Sequence, residues 1–276
     1  MTPAEFIAQL ATRDVDGLSI RYAEAGDPHG MPILLLSPWP ESILAFLPMW
    51  DAFAAAGRVV AIDLPSFGLS EGREAVRNVE AMGDFLLKAL ESFGLTRPHV
   101  VAPDVATPAA LSASIAAPSA FRSLVLGSGA IDHEDVGGIL DELVNAPSLA
   151  PYRTMTSAAF VAAAMGTMAR YRPPAEVLDD YIASYAGDRL MQSVDYVRDY
   201  PRSLPKLRRQ LSSLRVPAHI IVGRQDPFVP LSNAELLHSL LPGSRLDILE
   251  AGHFVWEDES ARYAEIALAF FAATSG

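Results

Sequence analysis

Two carboxylates and an imidazole each stand just after a short apolar run: Asp104 after Val100 to Ala102, Asp226 after Ala218 to Val222, and His253 after Leu246 to Leu249. In doubly wound sheets ligands bind beyond the carboxyl ends of the strands, so reactive side chains collect there. Asp104 lies in HVVAPDVATPAAL, where the small neighbours Ala102, Ala106 and Thr107 permit the tight strand-to-helix turn that exposes one side chain. A carboxylate so placed can attack carbon, a histidine can take a proton from water, and a second carboxylate can orient the imidazole. Singly, each residue has a plainer explanation: a helix cap for Asp104, a turn before proline for Asp226, a structural loop residue for His253. Together they follow the nucleophile, acid, base order of triads built on successive strands.

A fourth place is LLLSPWPESILAF, after the run ending at Leu36. A loop here can aim the N–H of Trp39 at the reacting centre, where the N–H of Val105 would complete an oxyanion hole. The alternative is a rigid proline turn, which the two prolines around Trp39 favour in either case.

The elements that must position these residues alternate. Ile33 to Leu36, Val59 to Ile62, Val100 to Ala102, Leu124 to Leu126, Ala218 to Val222 and Leu246 to Leu249 read as buried strands. Between them, Ala75 to Phe93, Pro108 to Ala117, Leu231 to Leu241 and Glu259 to Ala273 have helical periodicity. Strand alternating with helix predicts an α/β fold, a mostly parallel sheet covered on both faces. From about Ile131 to Leu214 the alternation stops, and helix formers and tyrosines are divided by the proline-marked joints PSLAPYR, YRPPAE and YPRSLP. Residues 131–214 are therefore expected to form a helical cap inserted into a core of residues 1–130 and 215–276.

Composition removes other classes. The 276 residues carry a formal charge of −12, from 21 Lys and Arg against 33 Asp and Glu, with no basic run to meet a phosphate backbone. No apolar stretch is long enough for a membrane span and no signal-peptide pattern opens the chain, so a cytoplasmic protein is expected. There is no cysteine, the six histidines are scattered, and no glycine-rich nucleotide loop follows a strand. Neither a metal nor another cofactor is implied; the expected partners are a small apolar organic substrate and water, in a monomer or homodimer.

From Leu18 to about Ala273 the chain resembles the α/β-hydrolase superfamily, and within it the epoxide hydrolase and haloalkane dehalogenase branch with an Asp nucleophile. The resemblance rests on Ser37-Pro38-Trp39-Pro40 at the family's His-Gly-x-Pro loop and on Pro40-Glu41-Ser42, which is similar to epoxide hydrolases. It also rests on Asp63 to Ser70 at the turn after the next strand, on Ala102-Pro103-Asp104-Val105-Ala106 at the Gly-x-Asp-x-Gly elbow, and on Gly252-His253-Phe254. The resemblance implies Asp104 as nucleophile, His253 as base, Asp226 as acid, and a cis Trp39–Pro40 peptide. It departs at the oxyanion loop, where proline replaces glycine at position 38, removing an N–H and fixing φ.

An Asp nucleophile suits displacement at an sp³ carbon, because with an ester it would form an anhydride. The Trp that follows the nucleophile in haloalkane dehalogenases is Val105 here, and the Arg that fluoroacetate dehalogenases have there is also absent. By resemblance, two cap tyrosines of epoxide hydrolases correspond in spacing to Tyr152 and Tyr196, with Tyr200 a rival to the second. Six tyrosines fall in the insertion, so chance matches and simple core packing stay open. The expectation is an epoxide hydrolase in which Tyr152 and Tyr196 polarise the ring oxygen. The alternatives are a dehalogenase using Trp39 as halide donor and a catalytically weak ligand-binding homologue.

Overall fold

The structure, a computed structural model, describes residues 1–275. Its sheet contains β1 (Ala11–Val15), β2 (Leu18–Ala25), β3 (Pro32–Leu36), β4 (Arg58–Ile62), β5 (His99–Pro103), β6 (Ser123–Gly127), β7 (Ala218–Gly223) and β8 (Arg245–Leu249). The spatial order is β1-β2-β4-β3-β5-β6-β7-β8. β2 is antiparallel to β1 and β4, and every pair from β4 to β8 is parallel. β5, β6 and β7 are buried along their whole length, which is why they read as unbroken apolar runs. β1 is mostly exposed and β2 is buried over only part of its length. They are joined by Asp16 and Gly17, both at positive φ, 56° and 74°, as a two-residue hairpin of matching twist requires.

The helix Val79–Phe93 starts on Asn78, whose side chain accepts the Ala81 N–H, and stops at Gly94 in the left-handed region. It packs on the alanine-rich helix Ala106–Ala116, which lies against β5 and β6, while Ser260–Thr274 packs on β6 and β7.

Between β6 and β7 the chain inserts five helices, Gly138–Asn145, Ser157–Met165, Ala175–Ser184, Arg189–Val197 and Tyr200–Arg208. The stretch YPRSLP, expected as a joint, belongs to the last of these. Pro201 sits in its first turn, where the missing N–H has no intrahelical partner in any case. Ionic and amide contacts pin the insertion to the core. Arg21 on β2 binds both buried Asp63 and Asp180 of the helix Ala175–Ser184, and the Ser42 hydroxyl donates to Asp180 at 2.7 Å. Asp258 accepts the N–H groups of Ala169, Arg170 and Tyr171 at 2.9, 2.8 and 2.7 Å.

Candidate active site

β5 ends at Pro103, and Asp104 turns the chain into the helix Ala106–Ala116 with φ at 51°. A non-glycine residue in the left-handed region is strained by roughly 1–3 kcal/mol and persists only where its surroundings fix it. Here the Asp104 N–H donates to the Gly127 carbonyl at 2.8 Å, and the Thr107 hydroxyl donates to the Ala102 carbonyl at 2.7 Å. Gly129 approaches so closely that a Cβ on it would stand 2.5 Å from the Asp104 carbonyl.

Asp226 and His253 come from the loops after β7 and β8. These loops meet at Gly223, where any side chain would collide with the Gly252 carbonyl. One Asp226 oxygen, Oδ1, accepts the N–H groups of Phe228 and Val229, both at 2.9 Å. The other, Oδ2, lies 2.8 Å from His253 Nδ1. The amides fix the carboxylate, and the carboxylate fixes the imidazole so that Nε2 points to Asp104, 3.7 Å from Oδ1. Burial works against charge on this imidazole, but the flanking carboxylates, Asp226 foremost and then Asp104, outweigh it and push its pKa up to about 10.

Asp104 Oδ2 accepts the Trp39 N–H at 2.7 Å. The Trp39–Pro40 peptide is cis, and the Trp39 indole N–H donates to Ser193 on an inserted helix at 2.9 Å. Val105 is buried and caps the helix Ala106–Ala116, which places its N–H among the unpaired donors of a helix N-terminus beside Asp104. The loop lacking the family's glycine thus still offers a backbone donor, because the donor is Trp39 and not Pro38.

Asp104, His253, Trp39 and Pro40 form the floor of a small, narrow cavity. Ile139, Leu140, Phe160 and Ala164 of the insertion close it, together with Phe228 and Phe254 of the core. Asp104, Asp226 and His253 are only 6, 8 and 3% exposed, so charge is handled away from bulk water.

The two tyrosines are not where their spacing suggests. Tyr152 lies in a short turn of the insertion, and its hydroxyl donates to Glu142 at 3.1 Å in an exposed pair. It does not reach the cavity, because the chain between β6 and the helix Ser157–Met165 carries it outward. Tyr196 is fully buried, but its hydroxyl donates to the Val105 carbonyl at 3.1 Å and its ring packs edge-on against Phe67 and Tyr200. Burial holds its phenol well above the usual pKa. Neither tyrosine lines the cavity. Conversely, Ile139, Leu140, Phe160, Ala164 and Phe228, which shape it, carry no chemical signature in the sequence.

A family model described as the alpha/beta hydrolase fold matches residues 31–260. The chain belongs to the α/β-hydrolase family. It is 26% identical over 236 residues, 80% of this chain and 78% of the other, to a 2-hydroxy-6-oxononadienedioate/2-hydroxy-6-oxononatrienedioate hydrolase of Paraburkholderia phymatum. Among solved structures, haloalkane dehalogenase DbeA from Bradyrhizobium elkani has a TM-score of 0.82 at 20% identity, covering 96% of this chain and 98% of the other. An enol-lactonase from Burkholderia xenovorans has a TM-score of 0.79 at 17% identity, covering 95% and 100%. These likenesses fix the fold and a hydrolase relationship. Family members act on different bonds, so the choice of bond rests on this chain's own residues. No helix among the described residues is long and apolar enough to cross a membrane.

Proposed function

We propose that this α/β hydrolase displaces a leaving group from an sp³ carbon through a covalent alkyl ester on Asp104. The observation that carries this reading is that Asp104's own Oδ2 accepts the Trp39 N–H. In acyl-transfer hydrolases such a donor awaits the carbonyl oxygen of the substrate. Here a protein carboxylate occupies it, so the carbonyl it activates is that of an ester formed on Asp104. In the first step Oδ1 attacks the carbon and the leaving group departs with the bonding electron pair. In the second, His253 Nε2 takes a proton from water, and the water oxygen attacks Cγ of Asp104. Negative charge then develops on Oδ2 against the N–H groups of Trp39 and Val105. Collapse breaks the Cγ–Oδ1 bond, His253 returns its proton to the departing oxygen, the alcohol leaves with the oxygen that was Oδ1, and the re-formed Asp104 carboxyl ionises. The core, residues 1–130 and 215–276, supplies this chemistry, and the cap, residues 131–214, shapes the substrate.

Esterification also explains how a histidine with so high a pKa becomes a base. Once Asp104 is an ester its charge is gone, and two of the influences that raise the imidazole pKa disappear. His253 can then shed its proton to solvent before water attacks.

For the leaving group, the cavity offers few donors. Of its lining side chains only Trp39 and His253 carry N–H groups, and neither Tyr152 nor Tyr196 is among them. A halide departs without a proton, so a small haloalkane fits better than an epoxide, with the Trp39 indole N–H turning from Ser193 to the halide. Epoxide hydrolysis is the second reading. It is favoured by Tyr196, whose hydroxyl lies on the carbonyl next to Asp104 and would have to turn into the cavity. The test is to follow halide release and diol formation with panels of short 1-bromoalkanes and terminal epoxides. Halide release with the matching alcohol is expected. Diol formation that is lost in Tyr196→Phe would instead establish the second reading. Thermal stabilisation by these compounds without turnover of either class would leave only a ligand-binding role.

A further inference from the structure

Behind the triad lie two carboxyl groups with no part in the steps above. Glu41, two residues after Trp39, and Glu257, four after His253, are both buried. Glu41 Oε1 accepts the Trp256 indole N–H at 3.2 Å, and Glu257 Oε1 accepts the Tyr181 hydroxyl at 3.1 Å. The remaining oxygens, Glu41 Oε2 and Glu257 Oε2, are buried without any N–H or O–H donor. Each carboxyl group perturbs the titration of the other, so the two stand side by side, where one could hydrogen-bond the other. A pair of carboxylates cannot do so, because each is an acceptor only; one proton between them satisfies both orphaned oxygens.

We infer that Glu41 and Glu257 share one proton and through it tie the Trp39 loop to the segment carrying His253, acting as a positioning pair for the reaction. The geometry makes the tie consequential. Glu41 follows the oxyanion donor across the Trp39–Pro40 turn, and the Tyr185 hydroxyl donates to the Glu41 carbonyl at 2.7 Å. On the other side, the Trp256 ring stands edge-on to the imidazole of His253 at 5.7 Å. Glu41 therefore holds the ring that flanks the base, and Glu257 holds Glu41. Tyr181 belongs to the inserted helix Ala175–Ser184, so the same proton links the insertion to both catalytic loops.

Besides the Trp256 indole, the groups acting on the pair are Tyr171, Tyr181, Tyr185, Asp104 and Asp258, all phenols or carboxylates. Burial first, and then the charge of Glu257, holds the Glu41 carboxyl well above the usual carboxylate range, and burial pushes Glu257 up to about 7. As pH rises through the pair's titration the proton leaves, two charges face each other without water, and the tie becomes a repulsion. Burial also pushes the Tyr181 and Tyr185 phenols upward, so they stay protonated through that transition.

The inference rests on the alkyl-ester reading for its kinetic arm only. Infrared difference spectroscopy across a pH titration is expected to show the carbonyl band of an un-ionised carboxyl disappearing as pH rises, and to lack it in both Glu41→Gln and Glu257→Gln. This arm needs no substrate, so it distinguishes failure of the pair from failure of the proposed reaction. In the kinetic arm, loss of one proton gives an alkaline limb in kcat of about tenfold per pH unit. That limb is expected to vanish in Glu41→Gln, whose amide donates to Glu257 and accepts from Trp256 at every pH. Glu41→Leu, which breaks the tie, is expected to lower kcat far more than it changes KM, and Glu41→Gln to restore it. No un-ionised carboxyl band assignable to the pair, or an alkaline limb identical in Glu41→Gln and wild type, would overturn the inference.

Discussion

Replacing Asp104 by Asn imitates, in shape and charge, the moment at which, in the proposed reaction, Asp104 has become an ester. In the free protein the imidazole of His253 lies between Asp226 Oδ2 at 2.8 Å and Asp104 Oδ1 at 3.7 Å. Removing the charge at 3.7 Å removes a Coulomb attraction of about 4.5 kcal/mol at an effective dielectric of 20, or about 1 kcal/mol in bulk water. Those limits translate to a fall of about 1 to 3 pKa units for the imidazole. The direction follows from the sign: the attraction stabilises the imidazolium, so without Asp104 the proton leaves at lower pH. The assay is a ¹⁵N NMR titration of the His253 ring in wild type and Asp104→Asn, starting from a wild-type pKa of about 10. A His253 titration unmoved by the substitution would refute the coupling between the two steps, since the base would then gain nothing from esterification.

Asp226→Asn should disorder the imidazole, because an amide cannot accept from both loop N–H groups and the ring; kcat is expected to fall about 10²- to 10⁴-fold with the fold intact by circular dichroism. Tyr152→Phe should leave turnover and stability almost unchanged, its hydroxyl pair being exposed, as steady-state rates and thermal melting will show. Tyr196→Phe leaves a buried carbonyl on Val105 unpaired and should cost about 1–3 kcal/mol in denaturant unfolding. Ala164→Trp should fill the wall opposite Asp104 and raise KM steeply for longer substrates while leaving halide release from the shortest least affected.

The parts of the fold that were legible in the sequence are those buried on both faces. β3 to β7 announce themselves as apolar runs, while β8 at the edge alternates, and Asp104, Asp226 and His253 are conspicuous because each lies within a few residues of a strand's end. β1 at the sheet's edge and β2 beside it carry charged residues among their apolar ones, so no apolar run marks them, although the Asp16-Gly17 pair between them was a hairpin signal. Trp39 was legible through the loop motif, whereas its indole partner Ser193 was not, since a helical serine has no distinguishing context. The tyrosines failed for a different reason: spacing along a helical insertion says nothing about which way each helix turns, and Tyr152 and Tyr196 end on different faces of it. Glu41 stood out only as part of the loop motif Pro40-Glu41-Ser42, and Glu257 looks like an ordinary surface acid in sequence. Only the packing of the two loops shows that they are buried against each other.

The most direct test of an Asp104 nucleophile is to trap its ester. In His253→Gln alkylation needs only the carboxylate, while hydrolysis lacks its base, so incubation with a short 1-bromoalkane should release one equivalent of bromide and stop. Mass spectrometry should then find an increase equal to the alkyl group, located on the peptide containing Asp104 and absent from Asp104→Ala. In the wild type, a single turnover in H₂¹⁸O should give unlabelled alcohol and put the label into Asp104. Immediate labelling of the alcohol, together with no adduct on Asp104 in His253→Gln, would show instead that water attacks the substrate directly and that Asp104 is not the nucleophile.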